Sequence, residues 1–243
     1  MRYLRVTDAF PLVQSHLSPS TASEPRIQGW CPGALRPMPS GDGLVVRVRP
    51  TLGRLTPVQA QGLAGLAQQY ASPMLELTSR ANLQLRGVCP DSYPALINGL
   101  RGLGLIDEHA DVEARRNLLL SPFWTEADGT PAICDALDLA LAAPDAPALP
   151  GKFGFAIDLG PQQVLRGASA DIRLECLGDQ VLVYADGATT GACVDPAHAA
   201  HCAMELARWF VASGGVVNGR GRMAGLLQRQ TLPALFTSTP VPT

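Results

Sequence analysis

The order of strands and helices that the sequence predicts for residues 43–105 constrains the fold more than any other feature. Apolar runs that end at Gly, Pro and Thr divide this region into short elements. In chain order they are a strand at Gly43–Pro50, a helix from Thr56-Pro57 to about Tyr70, strands at Met74–Leu77 and Asn82–Val88, and a helix from Pro90 to about Leu103. The order β-α-β-β-α is that of the split βαβ motif.

The rest of the chain predicts a second unit of mixed helices and strands. Its predicted elements are a helix from Thr130-Pro131 to about Ala142, strands at Phe153–Asp158, Asp171–Cys176 and Gln180–Ala185, and a helix from Asp195-Pro196 to about Ala212. We therefore predict an α+β protein, with a ferredoxin-like half-domain followed by a second α+β subdomain. The expected division is a mobile leader at 1–25, the half-domain at 26–108, the second subdomain at 109–236 and a disordered tail at 237–243.

Composition narrows the function classes. The net charge of −2 argues against a nucleic-acid binder that works by neutralising phosphates. No apolar run approaches the roughly 20 residues of a membrane span, and no signal peptide is evident at the N-terminus. Six cysteines in 243 residues do not form a disulfide scaffold. A cytoplasmic protein without nucleic-acid or membrane partners is the expectation.

Polar residues alternate along Thr78–Arg86, the segment in which a hairpin around Ser79 is also predicted. If the whole segment were extended, one face would carry hydroxyl, amide and guanidinium groups and no carboxylate, from Thr78, Arg80, Asn82, Gln84 and Arg86. Guanidinium groups form paired hydrogen bonds with carboxylates and oxyanions. The alternative is a half-exposed antiparallel strand whose outer face happens to be basic.

Two more basic segments could join this one around a ligand. They are Arg115-Arg116-Asn117 and Leu149-Pro150-Gly151-Lys152-Phe153. Lys152 is the only lysine among the 19 Lys and Arg residues, so this position is a candidate for a compact ammonium group. Convergence of the three segments on one polyanion is the functional interpretation, and scattered surface charge is the alternative.

These segments resemble the sulfite/nitrite reductase superfamily in content and order. The resemblance rests on Thr78–Gln84, on Arg116-Asn117 with Ser121-Pro122, and on Leu149–Phe153. The framing segments Trp30–Pro37, Gly41–Val48 and Lys152–Asp158 are more similar to its precorrin-3B synthase branch, over about residues 26–225. The resemblance implies a bound tetrapyrrole with eight carboxylates, a precorrin or a sirohaem-like macrocycle.

The resemblance also implies site residues. The superfamily's anion-binding arginines would correspond to Arg80 and Arg116, and its active-site lysine to Lys152; these three are the expected catalytic residues. Expected substrate-binding residues are Arg80, Asn82, Gln84, Arg86, Arg115, Arg116, Asn117 and Lys152. The reductases carry a second lysine where this chain has Gly154, which argues against sulfite reduction. Carboxylates around a ring about a nanometre across need several separate donors.

The implied reaction is oxygen-dependent hydroxylation of a precorrin with lactone formation, which makes the chain an oxidoreductase of the monooxygenase type in cobalamin biosynthesis. Dioxygen chemistry of this kind needs a metal centre and an electron donor. The family binds a 4Fe-4S cluster through Cys-x5-Cys and Cys-x3-Cys, and no cysteine pair here has either spacing. We therefore expect the N-terminal half of such an enzyme, with the cluster on a second half or subunit.

The same residues are compatible with other functions. The chain could be a non-catalytic tetrapyrrole-binding subunit or degenerate copy, or a fragment of a sirohaem-dependent sulfite/nitrite reductase. A zinc site at His198, His201 and Cys202 is a weaker possibility than ordinary helix residues. Cys31 is expected to be a packed thiol. The basic turn Gly219-Arg220-Gly221-Arg222 has only a minor expected role.

Overall fold

The computed structural model describes residues 32–242, and within them the first unit has the predicted split βαβ order. The expected leader at 1–25 and the residue Cys31 lie outside this range. The elements are β1 Met38–Ser40, β2 Gly43–Val48, α1 Pro57–Tyr70, β3 Leu75–Leu77, β4 Leu83–Val88 and α2 Tyr93–Gly102. The strands form an antiparallel sheet in the order β1-β2-β4-β3.

The side chains of this sheet separate into an apolar and a polar face. Val46 pairs with Leu85 across β2 and β4, and both are fully buried against α1 and α2. The next pair, Arg47 and Gln84, lies on the opposite face. The predicted start of α1 is confirmed, because Thr56 and Gln59 form a reciprocal capping box. The helices therefore cover one face and leave a polar row on the other.

The second unit is built on a six-stranded mixed sheet. Its elements are α3 Ala110–Arg115, β5 Leu118–Leu120, α4 Thr130–Ala142, β6 Phe155–Asp158, β7 Ile172–Leu177, β8 Gln180–Ala185, β9 Thr190–Val194, α5 Pro196–Ala212, α6 Met223–Leu227 and β10 Thr239–Pro240. The strand order is β10-β9-β8-β7-β6-β5, in which β5, β6 and β7 are mutually parallel. Helices α4 and α5 pack on one face around Phe210 and Leu137. The predicted α+β class is confirmed.

The segment expected to form a disordered tail, residues 237–243, is ordered as far as the structure describes it. Thr239 and Pro240 pair with β9, and the Val241 N–H donates to the Thr189 carbonyl at 2.9 Å. Phe236, just before them, is 2% exposed in the core. Burial of Phe236 and the pairing with β9 hold the following residues against the sheet, although their Ser/Thr/Pro composition suggested disorder.

The Thr78–Arg86 segment is not one continuous strand. Strands β3 and β4 form the predicted hairpin, and residues 78–82 make its turn, where Ala81 has a φ of 54°. The Thr78 hydroxyl oxygen accepts from the Arg80 and Asn82 N–H groups. Such side-chain bonds to nearby backbone compete with strand pairing. The alternation predicted over all nine residues therefore holds only within β4.

Arginines of the first unit bind backbone carbonyls of the second. Arg49 donates to the carbonyls of Glu113 and Arg116. Arg54 donates to the Trp124 carbonyl and stacks 3.7 Å from the centre of its ring. The boundary predicted near residue 108 stays a prediction, and these bonds join the residues on its two sides.

Candidate functional site

A polar cavity of about 360 Å³ lies where the two units meet. The β3–β4 turn, the end of β2 and three loops of the second unit form its walls. Its lining residues are Arg47, Arg49, Thr78, Ser79, Arg80, Asn82, Asn117, Gly151, Lys152, Ser169 and Arg222. Five of these are basic, and none of the described lining residues is acidic. The cavity is therefore suited to an anion.

The hairpin turn places Arg80 across the junction of the two units. Its guanidinium donates to the Lys152 carbonyl at 3.0 Å and to the Ser169 hydroxyl at 3.4 Å. Asn82, in the same turn, is only 7% exposed. Its side-chain amide has no hydrogen-bond partner among the described residues. Asn82 lines the cavity, so this amide offers a donor and an acceptor to a ligand.

The turn at 150–153 holds Lys152 between exposed and buried neighbours. The Phe153 N–H donates to the Pro150 carbonyl at 2.8 Å, and the Phe153 ring is 2% exposed, packed at 4.6 Å from the ring centre of Phe210. Asn117 donates from its side-chain amide to the Phe153 carbonyl at 2.8 Å. Because Phe153 anchors the turn in the core, Lys152 is held at the rim with an exposed side chain.

Arg222 enters the cavity from the loop before α6. Its Nε bonds both carboxylate oxygens of Asp171, at 2.9 and 3.1 Å, and Asp171 is 1% exposed. Its Nη2 donates to the Ser169 hydroxyl at 3.1 Å and to the Ala170 carbonyl at 2.9 Å. Ser169 thus accepts from both Arg80 and Arg222.

Two arginines at the end of β2 complete the basic lining. Arg47 donates to the Gln84 side-chain carbonyl at 3.0 Å. Arg49 is 8% exposed, and this burial lowers the pKa of its guanidinium while the Glu113 charge opposes the shift. Both arginines bring positive charge to the inner wall.

The structure brings four predicted site residues together at the cavity: Arg80, Asn82, Asn117 and Lys152. Gln84 lies one step away, bonded to Arg47 and donating to Glu76 at 2.6 Å. Glu76 is therefore a carboxylate on the polar face, which the Thr78–Arg86 pattern did not include.

Arg86 and Arg115 do not line the cavity. Arg86 forms a two-point ion pair with Asp42, at 3.1 and 3.2 Å, and donates to Ser40. The pair lowers the pKa of Asp42 and raises that of Arg86. Arg115 pairs with Asp111 one helical turn earlier, at 3.3 Å. Each has an acidic partner that the basic-segment interpretation left out.

Arg116 is also absent from the cavity lining. Its guanidinium forms a two-point pair with Asp107, with the shorter bonds both 2.9 Å, and donates to the Arg49 carbonyl. Its side chain is 13% exposed. The carboxylate more than offsets burial, so the pKa of Arg116 lies above its ordinary value. Arg116 supports the wall behind Arg49 and does not itself face the cavity.

The stability of the protein is expected to depend on Asp138, which faces Arg116. Burial raises the pKa of Asp138 from 3.8 to about 6, with opposite effects from Arg116 and from Asp107 and Asp135. Folding therefore takes up a proton in this window, and stability falls as pH rises from about 4 to 6. Asp138→Asn should remove this slope and stabilise the protein at pH 7 by about 1–2 kcal/mol, since water reaches this half-buried group. Urea unfolding from pH 4 to 7 measures the free energy of unfolding of both proteins. If Asp138→Asn keeps the same dependence of stability on pH, the prediction is wrong.

The cavity lining includes residues that were not predicted as site residues from the sequence, among them Arg47, Arg49, Ser169 and, beyond a minor role, Arg222. The i, i+2 spacing of Arg47 and Arg49 in a predicted strand was a usable signal for one face. Arg222 lies in the basic turn that was given only a minor role. Ser169 carries no local signal, because its importance comes from two arginines 89 and 53 residues away.

The described residues do not fit a 4Fe-4S cluster, which needs four thiolates. Cys89, Cys134, Cys176, Cys193 and Cys202 are free thiols. Burial raises the pKa of Cys134 to about 12 and that of Cys202 to about 11, which disfavours the thiolate form. Across residues 32–242 no three His, Cys, Asp or Glu side chains form a metal-binding group, including those near His198 and His201. Within the same range, every helix is too short or too polar to reach across a bilayer.

Comparisons with known proteins confirm the resemblance seen in the sequence. Residues 36–103 match the nitrite/sulfite reductase ferredoxin-like half domain. The structure of Mycobacterium tuberculosis NirA protein shares the fold with a TM-score of 0.53 at 17% identity, over 76% of this chain and 37% of that one.

Two curated relatives show the similarity in sequence. A precorrin-3B synthase of Sinorhizobium sp is 36% identical over 152 residues, which are 62% of this chain and 33% of the relative. A ferredoxin–nitrite reductase of Synechococcus elongatus is 29% identical over 147 residues, 56% of this chain and 28% of the relative. The chain thus spans about a third of the length of these relatives.

Proposed function

We propose that this chain, which carries a nitrite/sulfite reductase ferredoxin-like half domain at residues 36–103, binds a precorrin-type tetrapyrrole as part of a precorrin-3B synthase-like oxidoreductase. The observation that carries the proposal is a cavity lined by five basic residues and, among the described lining residues, no acidic one. The similarity to the Sinorhizobium precorrin-3B synthase supports the choice of macrocycle.

The size of the cavity suits one edge of such a ligand. Pockets that enclose a whole small molecule measure about 300–1,000 Å³. At about 360 Å³ this one is near the lower limit, too small for a macrocycle with eight carboxylates. One or two carboxylate side chains enter the cavity, and the ring lies across its mouth.

The cations have separate tasks at that edge. Arg80 and Arg222 present guanidinium groups that donate to carboxylates, and both are pre-oriented by protein acceptors. Lys152 is an exposed ammonium at the rim that pairs with a further carboxylate. The Asn82 amide donates to, or accepts from, the polar ring substituents. These residues bind and orient the macrocycle.

The oxidative chemistry of the proposed reaction, hydroxylation of the ring by dioxygen with lactone closure, needs a redox centre. The described residues do not fit a 4Fe-4S cluster, so the proposed role of this chain is substrate binding. The proposed partners are an electron donor and a second half or subunit that carries the cluster.

A reductase function is favoured less than tetrapyrrole oxidation because of Gly154. A Cβ atom at this position would lie 2.8 Å from the Asn117 Nδ2 and 3.1 Å from the Asn117 carbonyl oxygen. The second lysine expected of the reductases would therefore displace Asn117 from Phe153. Without this second lysine, the site lacks one of the positive charges that a reductase is expected to place beside a small oxyanion.

Titration of the full chain with uroporphyrin I tests the proposal, because this stable tetrapyrrole carries eight carboxylates. We expect binding in the micromolar range that weakens as salt rises from 50 to 500 mM, since salt screens charge pairs. Mesoporphyrin, with two carboxylates, is the comparison ligand and should bind at least tenfold more weakly. Equal affinity for the two, or no uroporphyrin binding, contradicts the proposal; visible absorbance of the porphyrin measures both.

A second assay separates the proposed enzyme from a non-catalytic binding subunit. Both bind uroporphyrin I, but only the enzyme takes up dioxygen with a precorrin substrate when a reductant and the cluster-bearing partner are supplied. Oxygen uptake measured with an electrode, with and without this chain, distinguishes them. Uptake that does not depend on this chain favours the binding subunit.

A further inference from the structure

One buried carboxylate connects the two sides of the cavity's outer wall. Asp171 lies directly before β7, and its oxygens accept from Arg222 Nε, from the Met223 N–H at 2.8 Å and from the Gly154 N–H at 3.1 Å. Its own N–H donates to the Gly154 carbonyl at 2.7 Å. Asp171 thus holds the loop that carries Arg222 and the turn that carries Lys152.

These bonds belong to a closed ring of hydrogen bonds around the cavity rim. From Asp171 the ring passes through Arg222 to the Ser169 hydroxyl, through Arg80 to the Lys152 carbonyl, and along the chain to Gly154, which returns to Asp171. Ser169 is exposed, whereas Asp171 is 1% exposed and makes charge-assisted bonds. The buried carboxylate is the most firmly fixed member of the ring.

We propose that Asp171 is a positioning residue, which sets the separation between Arg222 and Lys152 and so the fit of the cavity to a polycarboxylate edge. This inference rests on the proposed tetrapyrrole binding. Asp171 acts through the two cations and does not touch the ligand. Its removal leaves both cations in the chain but releases their loops.

Replacement of Asp171 by asparagine distinguishes an effect of its charge from an effect on the positions of Arg222 and Lys152, because the two effects change polyanion affinity in opposite directions. Asparagine has nearly the same shape but no charge, so the cavity becomes more positive by one unit. If only charge mattered, a polyanion would bind the variant more tightly. If position matters, binding weakens, because one side of the asparagine amide presents N–H groups to the Gly154 N–H or to Arg222 and Met223. The loss of preorganised cations then outweighs the added charge.

The experiment compares uroporphyrin I binding by the wild-type chain, Asp171→Asn and a control, Glu175→Gln. Glu175 is also a buried carboxylate, 3% exposed and paired with an arginine (Arg166, at 2.7 Å), but it does not line the cavity. We expect the dissociation constant of Asp171→Asn to rise about tenfold. That of Glu175→Gln should change less than twofold, with thermal unfolding confirming that both variants fold. Unchanged or tighter binding by folded Asp171→Asn overturns the inference.

A second measurement needs no ligand, and it separates failure of this inference from failure of the proposed function. Amide hydrogen exchange followed by NMR reports on the Gly154 and Met223 N–H groups, which donate to the carboxylate. Asp171→Asn should accelerate exchange at both about tenfold or more and leave β8 unchanged. If the wild-type chain does not bind uroporphyrin I, the proposed function fails, and unchanged exchange at these amides then overturns the positioning role as well.

Discussion

Arg80→Ala should weaken binding of uroporphyrin I by about 10- to 100-fold, the largest effect expected of any single cavity residue. A charge-assisted hydrogen bond contributes about 1.5–3 kcal/mol, and each 1.4 kcal/mol is tenfold in affinity. Arg80 also bonds the Lys152 carbonyl and Ser169, so its loss removes one cation and loosens a second. The change is measured by the same porphyrin absorbance titration.

Arg86→Ala is the matched control for this variant. Arg86 is an arginine of the adjoining strand and is paired with Asp42 away from the cavity. Its removal should change the dissociation constant less than twofold. Equal losses of affinity in the two variants would mean that the macrocycle is bound by general positive charge. Unchanged affinity in Arg80→Ala would mean that the hairpin turn is not part of the binding site.

The second large effect concerns stability: Glu113→Ala should lower the free energy of unfolding by about 3–5 kcal/mol. The Glu113 carboxylate is 3% exposed and accepts from the Ala34 and Leu35 N–H groups. Its charge also supports buried Arg49. Removing it leaves one buried and one partly buried N–H donor without an acceptor and a buried guanidinium with less compensation. Urea unfolding followed by tryptophan fluorescence measures the change.

Two variants test the cause of this effect. Glu113→Gln keeps one side-chain acceptor without the charge and should cost about half as much. Glu108→Ala removes an exposed glutamate nearby in the chain and should cost less than about 0.5 kcal/mol. A loss below about 1 kcal/mol in Glu113→Ala would show that the backbone of residues 34–35 finds other partners.

Local signals predicted most of the fold. The helix that begins at Pro196 matches its prediction because Asp195 caps it, accepting from the Ala197 N–H at 2.9 Å. The hairpin turn was also signalled, yet the alternation that crosses it suggested one long strand. The hydrogen bonds of the Thr78 side chain favour the turn over the continuous strand, and the periodicity of polar residues carries no information about such bonds. Strand β10 was missed, since two residues carry too short a pattern.

The site was harder to predict than the fold, because a basic residue does not show in the sequence whether it is already paired. Arg80 and Arg86 are equivalent in the pattern, but one bonds carbonyl and hydroxyl groups 72 and 89 residues away and the other bonds Asp42. Arg116 has its carboxylate nine residues earlier. Such choices depend on tertiary contacts, which the sequence pattern does not contain.

The contact between Gly33 and Glu113 has a consequence for how this protein can evolve. A Cβ atom at position 33 would overlap a carboxylate oxygen of Glu113. A side chain at 33 therefore requires the Glu113 carboxylate to move from its present position, and that carboxylate is the acceptor for the amides of residues 34 and 35. Each single substitution is disfavoured while the other residue is unchanged. Across diverging relatives we expect the two positions to be inherited as a pair.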